Sequence, residues 1–316
     1  MESRSLCLGA VQMLSVNGQV ADNLGRAAQG VARAAGRGAQ LVLLPELFST
    51  GFELNAHAWL AAELRGGATE SWLAQAAHRH GVFIGGSYLE RLGDDFFDTF
   101  ALAGPTGIIG RVRKRHPCSV EAYIFKGGDD AHVIETPLGR IGVAICYDSS
   151  LREVWDRMLA GAPDFLLFPM SAPTPVKRLL YGQRKVDAFH ASFRDGATQS
   201  ARMVGVPCAM SNKWGPWETE LPGWLPPLLL GQQRSRFPGF THVADSDGRE
   251  VARVETGEGE AVATVTLDAS TKRLLLPPER DRFRPWIADM PAEYRAFAAF
   301  EALGRRWYAR HRPSAQ

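Results

Sequence analysis

Short, wholly apolar runs set between helix-like stretches constrain this chain more than any other feature. Leu41–Leu44, Ile141–Ile145 and Phe165–Phe168 carry no polar side chain. A strand with one face in water alternates apolar and polar residues, so runs like these belong to strands covered on both faces. Between them the period changes. Asp22–Gly36 reads as an Ala/Arg-rich helix, Glu70–His80 as a helix that Gly81 can stop, and Leu151–Ala160 and Gln183–Met203 as further helices. Leu6–Met13, Val82–Leu89, Thr99–Ala103, Ile108–Val112, Val133–Thr136 and Val206–Ser211 read as strands. Val243–Ala244, Glu250–Val254 and Ala261–Leu267 read as late antiparallel strands around a turn at Asp247-Gly248. Strands alternating with helices, with added hairpins, make an α/β fold with a mixed sheet.

Two segments stand outside this pattern. Trp214–Pro238 is rich in Trp, Pro and Gly and has little periodicity, so a long loop is expected there, of the kind that forms lids or interfaces. Leu274–Gln316 follows the last strand and carries basic and aromatic residues, with a helix expected over Ala292–Arg310. The expected division is a catalytic unit over residues 1–270 and a C-terminal arm over 271–316, packed on that unit or on a neighbouring subunit.

Composition narrows the function classes. The chain has 316 residues, with 36 Lys and Arg against 34 Asp and Glu, a formal net charge of +2. That balance gives no electrostatic footprint for nucleic acid or an anionic membrane, so neither is an expected partner. No apolar run reaches the roughly 18 residues of a membrane span. The opening MESRSLCLGAVQM does not read as a signal peptide. Cys7, Cys118, Cys146 and Cys208 are scattered, with no zinc-like spacing, so no metal is expected. A reduced, cytoplasmic protein is the expectation, in which a cysteine can be reactive without being lost to a disulfide.

Three residues of different chemistry sit where predicted strands end. Glu46 follows LVLLP, Lys114 follows GIIGRVR and Cys146 follows RIGVAI. Strand ends in α/β folds open onto the crevice where ligands bind. A thiol needs a base or a cation to become a nucleophile; a carboxylate can take its proton, and an ammonium can stabilise negative charge on sulfur and then on a substrate oxygen. Each residue alone has a blander role: Cys146 as a small core hydrophobe, Glu46 as a solvated residue or helix cap, Lys114 as part of a solvated basic run, RVRKRH. Spacing does not choose between these.

The local sequence around them does. LVLLPELFSTGF, GRVRKRHP and GRIGVAICYDSSLRE, in that order, resemble the nitrilase superfamily of carbon–nitrogen hydrolases, and the resemblance runs from about Leu6 to Leu267. EAYIFKGGDD and FPGFTHVADSDG resemble further family segments. The resemblance implies a four-layer αββα sandwich with mixed sheets. It implies Glu46 as general base, Lys114 as the cation facing the transition state, Cys146 as nucleophile and Glu121 as a second glutamate that holds the lysine and substrate in register. The backbone N–H of Tyr147 would join Lys114 in an oxyanion hole. No cofactor is implied. A homodimer or larger homo-oligomer is, with the C-terminal arm long enough to cross to a partner.

Cys146 is followed by Tyr-Asp, which resembles the amidase and carbamoylase branches more than true nitrilases. A linear amide or N-carbamoyl substrate is therefore favoured over a nitrile, with acyl transfer as a further alternative. Phe52, Tyr123, Ser171 and Trp214 are the expected pocket walls, and Trp217 and Trp224 could add to an apolar lid. Two departures stand out. Ser149 and Ser150 occupy the stretch after the cysteine where a substrate-binding Arg is common, with Arg152 beyond. Phe97-Asp98-Thr99 replaces a frequent Tyr-Asn-Thr, and the extra carboxylate either satisfies a turn or alters a pocket. Cys118 is expected to be a bystander thiol.

Overall fold

A computed structural model describes residues 3–175, 182–221, 233–274 and 295–313. Two six-stranded mixed sheets stack face to face, and helices cover their outer sides. The first sheet takes strands β1 (Arg4–Gln12), β2 (Leu41–Leu43), β3 (Phe83–Leu92), β4 (Asp95–Gly104), β5 (Gly107–Arg113) and β14 (Gly259–Leu267), in the order β14-β1-β2-β3-β4-β5. The second takes β6 (Val133–Thr136), β7 (Gly139–Val143), β8 (Phe165–Pro169), β9 (Cys208–Ser211), β12 (Thr241–Ala244) and β13 (Glu250–Val254), in the order β13-β12-β9-β8-β7-β6. Each sheet has three parallel strands at its heart, β1-β2-β3 and β7-β8-β9, extended by antiparallel neighbours.

Helices α1 (Val20–Gly36) and α2 (Ala68–His80) pack on the first sheet, and α3 (Arg152–Ala160) and α5 (Gly196–Val204) on the second. The result is the four-layer αββα sandwich. Residue alternation in β1 shows why it forms. Leu6, Leu8 and Ala10 face the second sheet and join a core with Val143, Phe165 and Leu167, while Val11 faces Ala27, Val31 and Ala34 of α1. Both faces are apolar, so the sheet is stable only when covered on both sides.

Three elements differ from the expectation. The single helix expected over Gln183–Met203 is two, α4 (Gln183–Arg194) and α5, broken at Asp195. The Ala197 N–H released by the break donates to His242 Nε2 at 3.0 Å, so tertiary contact replaces the helical bond. Trp214–Pro238 is not simply a loop. Its ends form an antiparallel ribbon, β10 (Trp214–Thr219) with β11 (Gln233–Pro238). Pro216 hides the strand signal, yet a two-stranded ribbon has free edges where a missing N–H is tolerated. Residues 222–232 between the two strands, Trp224 among them, lie outside the described residues. Asp98 lies within β4, paired opposite Leu89, and not in a turn.

The last helix, α6 (Arg295–His311), packs on the 3-10 turn Ser119–Tyr123 that carries Glu121. The Phe96 N–H donates to Tyr308 Oη (2.8 Å), and Trp307 packs edge-on against Tyr123. No helix among the described residues is long and apolar enough to cross a membrane.

Gly304 lets this helix approach. A Cβ there would stand 2.8 Å from the Ala122 backbone carbon and Cβ. Gly304→Val is expected to lower stability by about 1–3 kcal/mol through overpacking. A urea midpoint equal to that of the wild type would show that the helix does not bear on this turn.

Candidate active site

The site stands at the strand ends where the two sheets meet. β2 ends at Leu43, and the chain continues through Pro45 to Glu46. Its backbone is tied to both sheets: Glu46 N–H donates to Met170 O beyond β8 (3.3 Å), Ser171 Oγ donates to Glu46 O (2.8 Å), and Leu47 N–H donates to Ser87 Oγ on β3 (2.8 Å). Lys114 is the residue after β5, and its N–H donates to Asp98 O (2.8 Å). Cys146 opens a 3-10 turn three residues after β7, with φ +48. Leu47, beside Glu46, has φ +46. Positive φ is uncommon and strained for such side chains, and these two of the six described non-glycine residues with positive φ lie at the site.

One buried ammonium organises the charges. Lys114 Nζ lies 2.6 Å from Glu46 Oε1 and 2.6 Å from Glu121 Oε2, with Asp98 Oδ2 at 4.0 Å. Lys114, Glu46 and Asp98 are 0% exposed and Glu121 is 3% exposed. Burial works against the charge on Lys114, but Glu121 and Glu46 outweigh it and hold the ammonium well above its ordinary pKa. Burial first, and then the Glu46 charge, push the Glu121 carboxyl up to about 7 against the pull of Lys114. The Cys118 N–H donates to Glu121 Oε2 (2.6 Å) and fixes its direction.

Cys146 belongs to the same cluster. Burial raises its thiol well above the ordinary range, the Glu46 and Glu121 charges raise it further, and Lys114 opposes them without prevailing. The Ser171 backbone N–H points at the sulfur. The Cys146 thiol, 8% exposed, is therefore held in its protonated form.

Glu46, Lys114, Glu121, Cys146 and Ser171 thus converge. The other expected residues stand further out. Phe52 packs against Trp217 and Phe237, and its ring lies 5.9 Å from Lys213 Nζ. Tyr123 is wholly buried against Trp307. Trp214 is half-buried beneath the Arg236 guanidinium. The Tyr147 ring packs on Phe297 of α6. The RVRKRH run is not a solvated face: Arg111 pairs with Glu70 (2.6 Å), Arg113 with Glu90 (2.9 Å), and Arg115 with Glu153 (2.6 Å).

Sequence reasoning missed Lys213. It is fully buried two residues beyond β9, and its Nζ donates to Leu47 O (3.1 Å). Burial lowers its pKa to about 7, against the pull of Glu46, Asp98 and Cys146. The signal was a lone lysine in SNKWG at the end of an apolar strand, the same position that singled out Lys114.

A sequence profile of the carbon-nitrogen hydrolase family matches residues 7–274. The chain belongs to this family. It is 31% identical over 172 residues to a nitrilase of Pyrococcus abyssi, covering 52% of this chain and 66% of the relative. It is 32% identical over 171 residues to the omega-amidase NIT2 of Danio rerio, covering 51% and 61%. The matched region thus spans less than two thirds of these relatives. A carbon-nitrogen hydrolase from Helicobacter pylori G27 superposes with a TM-score of 0.71 at 17% identity, covering 98% of this chain and 95% of that one. An amidase from Nesterenkonia sp. AN1, solved with acrylamide added to its active-site cysteine, superposes with a TM-score of 0.66 at 20% identity, covering 85% and 95%. Those two share the fold.

The Glu121 carboxyl has a linkage consequence. Its folded pKa, about 7, lies above the ordinary 4.5, so the folded state holds this proton after the unfolded chain has lost it. Its contribution to stability is full below 4.5 and is lost as pH rises to about 7. Glu121→Gln removes that dependence. Over this window the variant should gain stability relative to the wild type as pH rises, read by urea unfolding at several pH values. A constant difference between the two proteins would refute the raised carboxyl.

Proposed function

We propose that the chain hydrolyses a linear amide or an N-carbamoyl compound through a thioester on Cys146. The observation that carries this reading is a resting thiol on a strained turn, beside an ammonium gripped by two carboxylates. Such a thiol cannot act as a preformed thiolate, so the neighbouring base acquires a defined task. Glu46 takes the thiol proton as sulfur attacks the carbonyl carbon. Negative charge then develops on the carbonyl oxygen, and Lys114 with the Tyr147 N–H stabilises it. Glu46 returns the proton to the nitrogen, the C–N bond breaks, and ammonia or an amine leaves. Water, giving its proton to Glu46, attacks the thioester. The acid departs, and the proton returns to sulfur. Atoms and charges balance with no added reagent.

Glu121 holds Lys114 against rotation in this scheme, and Ser171 orients both Glu46 and the sulfur. Phe52 and Trp214 take part only as outer walls of the pocket. The relatives support the choice of substrate in two directions. The omega-amidases favour an amide, and the nitrilase of Pyrococcus abyssi keeps a nitrile as the second reading. A catalytic unit over residues 1–270, with assembly as a homodimer, is proposed with it; sedimentation of a monomer alone would remove the dimer.

Ammonia release from a panel of linear amides, N-carbamoyl amino acids and nitriles tests the reading. Release from the first two classes is expected. Cys146→Ala should abolish it, and Glu46→Gln should lower kcat by about 10²–10⁴-fold. Release from nitriles alone would replace the amide reading. Full activity in Cys146→Ala would end both.

A further inference from the structure

Glu46, Lys114, Glu121 and Cys146 leave one titratable group at the centre unused. Asp98 points inward from the middle of β4, and its backbone carbonyl accepts from Lys114 N–H at 2.8 Å. It is 0% exposed, and neither side-chain oxygen completes a hydrogen bond of ordinary geometry. The same is true of Glu46 Oε2. The two carboxyl groups lie beside one another, with the Ser87 hydroxyl next to them. Lys114 does not resolve the matter: it holds Glu46 and Glu121 at 2.6 Å, whereas 4.0 Å to Asp98 exceeds a hydrogen bond.

Ionised carboxylates only accept, so two facing carboxyl oxygens repel unless one of them carries a proton; the Ser87 hydroxyl can donate to Asp98 and favours its charge, but it does not link Asp98 to Glu46. The charges point the same way. Three carboxylates around one firmly charged ammonium, away from water, would leave uncompensated negative charge, and buried groups in that position take up protons instead. The charged groups facing Asp98 are Glu46 from the segment after β2, Lys114 after β5 and Lys213 after β9. Lys213 is itself pulled down to about 7 by burial and so supplies only part of a charge. Of the three acids, Asp98 has the weakest hold on an ammonium.

We propose that Asp98 is a positioning residue that stands as the carboxylic acid and donates its proton to Glu46 Oε2. That hydrogen bond fixes the base against Lys114 and keeps a third negative charge away from Cys146. Burial first, and then the Glu46 charge, push the Asp98 carboxyl well above its ordinary range, in keeping with the geometry. Asparagine has the same shape and also offers a polar hydrogen, which is why an acid at this position can work where the resembling family often carries Asn.

The inference rests on the proposed roles of Glu46 and Cys146, so its test uses no substrate. Iodoacetamide is the probe, and the rate of Cys146 alkylation is followed against pH, with peptide mass analysis separating Cys146 from Cys118. At neutral pH Asp98→Asn should alkylate within about threefold of the wild type, while Asp98→Ala, lacking the donor, should be slower by about tenfold or more. At higher pH the wild type should fall behind Asp98→Asn as Asp98 ionises and opposes the thiolate. Asp98→Asn faster than the wild type by about tenfold at neutral pH would mean that Asp98 is already ionised, and would overturn the proposal. Equal rates for Asp98→Asn and Asp98→Ala would overturn it too.

Infrared spectroscopy gives a second measurement, independent of whether those variants fold. Measured in Glu121→Gln, so that the Glu121 carboxyl does not contribute, the protein should show a protonated-carboxyl band at neutral pH. The band should weaken when Glu46→Gln is added, where an amide replaces the acceptor charge and Asp98 can ionise. An unchanged band refutes the shared proton. If alkylation of Cys146 proves indifferent to Glu46→Gln, the assignment of Glu46 as base fails, and that result is distinct from either outcome at Asp98.

Discussion

An ammonium with no exposure to water is the constraint on which the site depends. Lys114 could not remain charged in the interior alone; it stays charged because two carboxylates meet it at 2.6 Å. Removing one partner from such a group typically costs about 3–5 kcal/mol, far more than an exposed pair contributes. The two acids come from distant parts of the chain, the end of β2 and the turn over Ser119–Tyr123. The lysine therefore pins those parts together while it serves as a local positive charge. Structure and chemistry place the same demand on it, so neither role can be weakened without the other.

The sandwich exists to bring those ends together. Parallel strands β2, β7, β8 and β9 release Glu46, Cys146, Ser171 and Lys213 within three residues of their last paired position. Short links across the two sheets then fix the spacing, above all Glu46 N–H to Met170 O and Ser171 Oγ to Glu46 O. At this junction the backbone accepts strain at Leu47 and Cys146. Well-packed sheets on either side can hold such conformations, which a flexible loop would relax. Precision at Cys146 is thus drawn from the apolar runs that are the plainest feature of the sequence.

Those runs explain what was legible. Leu41–Leu44 and Phe165–Phe168 could only be covered strands, and the acids and bases at strand ends followed from them. What escaped was set by contacts between distant segments. The break at Asp195 depends on His242, a residue 47 positions later. Pro216 disguised a strand whose partner, Gln233–Pro238, lies beyond an aperiodic stretch. Arg111, Arg113 and Arg115 looked solvated because their acids, Glu70, Glu90 and Glu153, are scattered along the chain. Lys213 shows the limit best. A lysine after an apolar strand is ordinarily solvated, but here Lys213 is buried with the rings of Phe52 and Phe237 over its amine, contacts that come from distant parts of the chain.

The protonation of the thiol follows from this same crowding. An enzyme that pairs its cysteine with one cation can store a thiolate, because the pair is neutral in sum. Here the cation is already committed to two carboxylates, and a thiolate would add a further negative charge to a site that holds an excess of them. In the proposed mechanism, charge on sulfur is tolerated only while Glu46 holds the proton, so deprotonation and attack are bound to one another. A nucleophile of that kind is quiet in the absence of substrate. In that mechanism it becomes reactive when a carbonyl arrives to take the charge onto oxygen, beside the Lys114 ammonium. The burial of Cys146 then confines the proposed reactivity to the bound state.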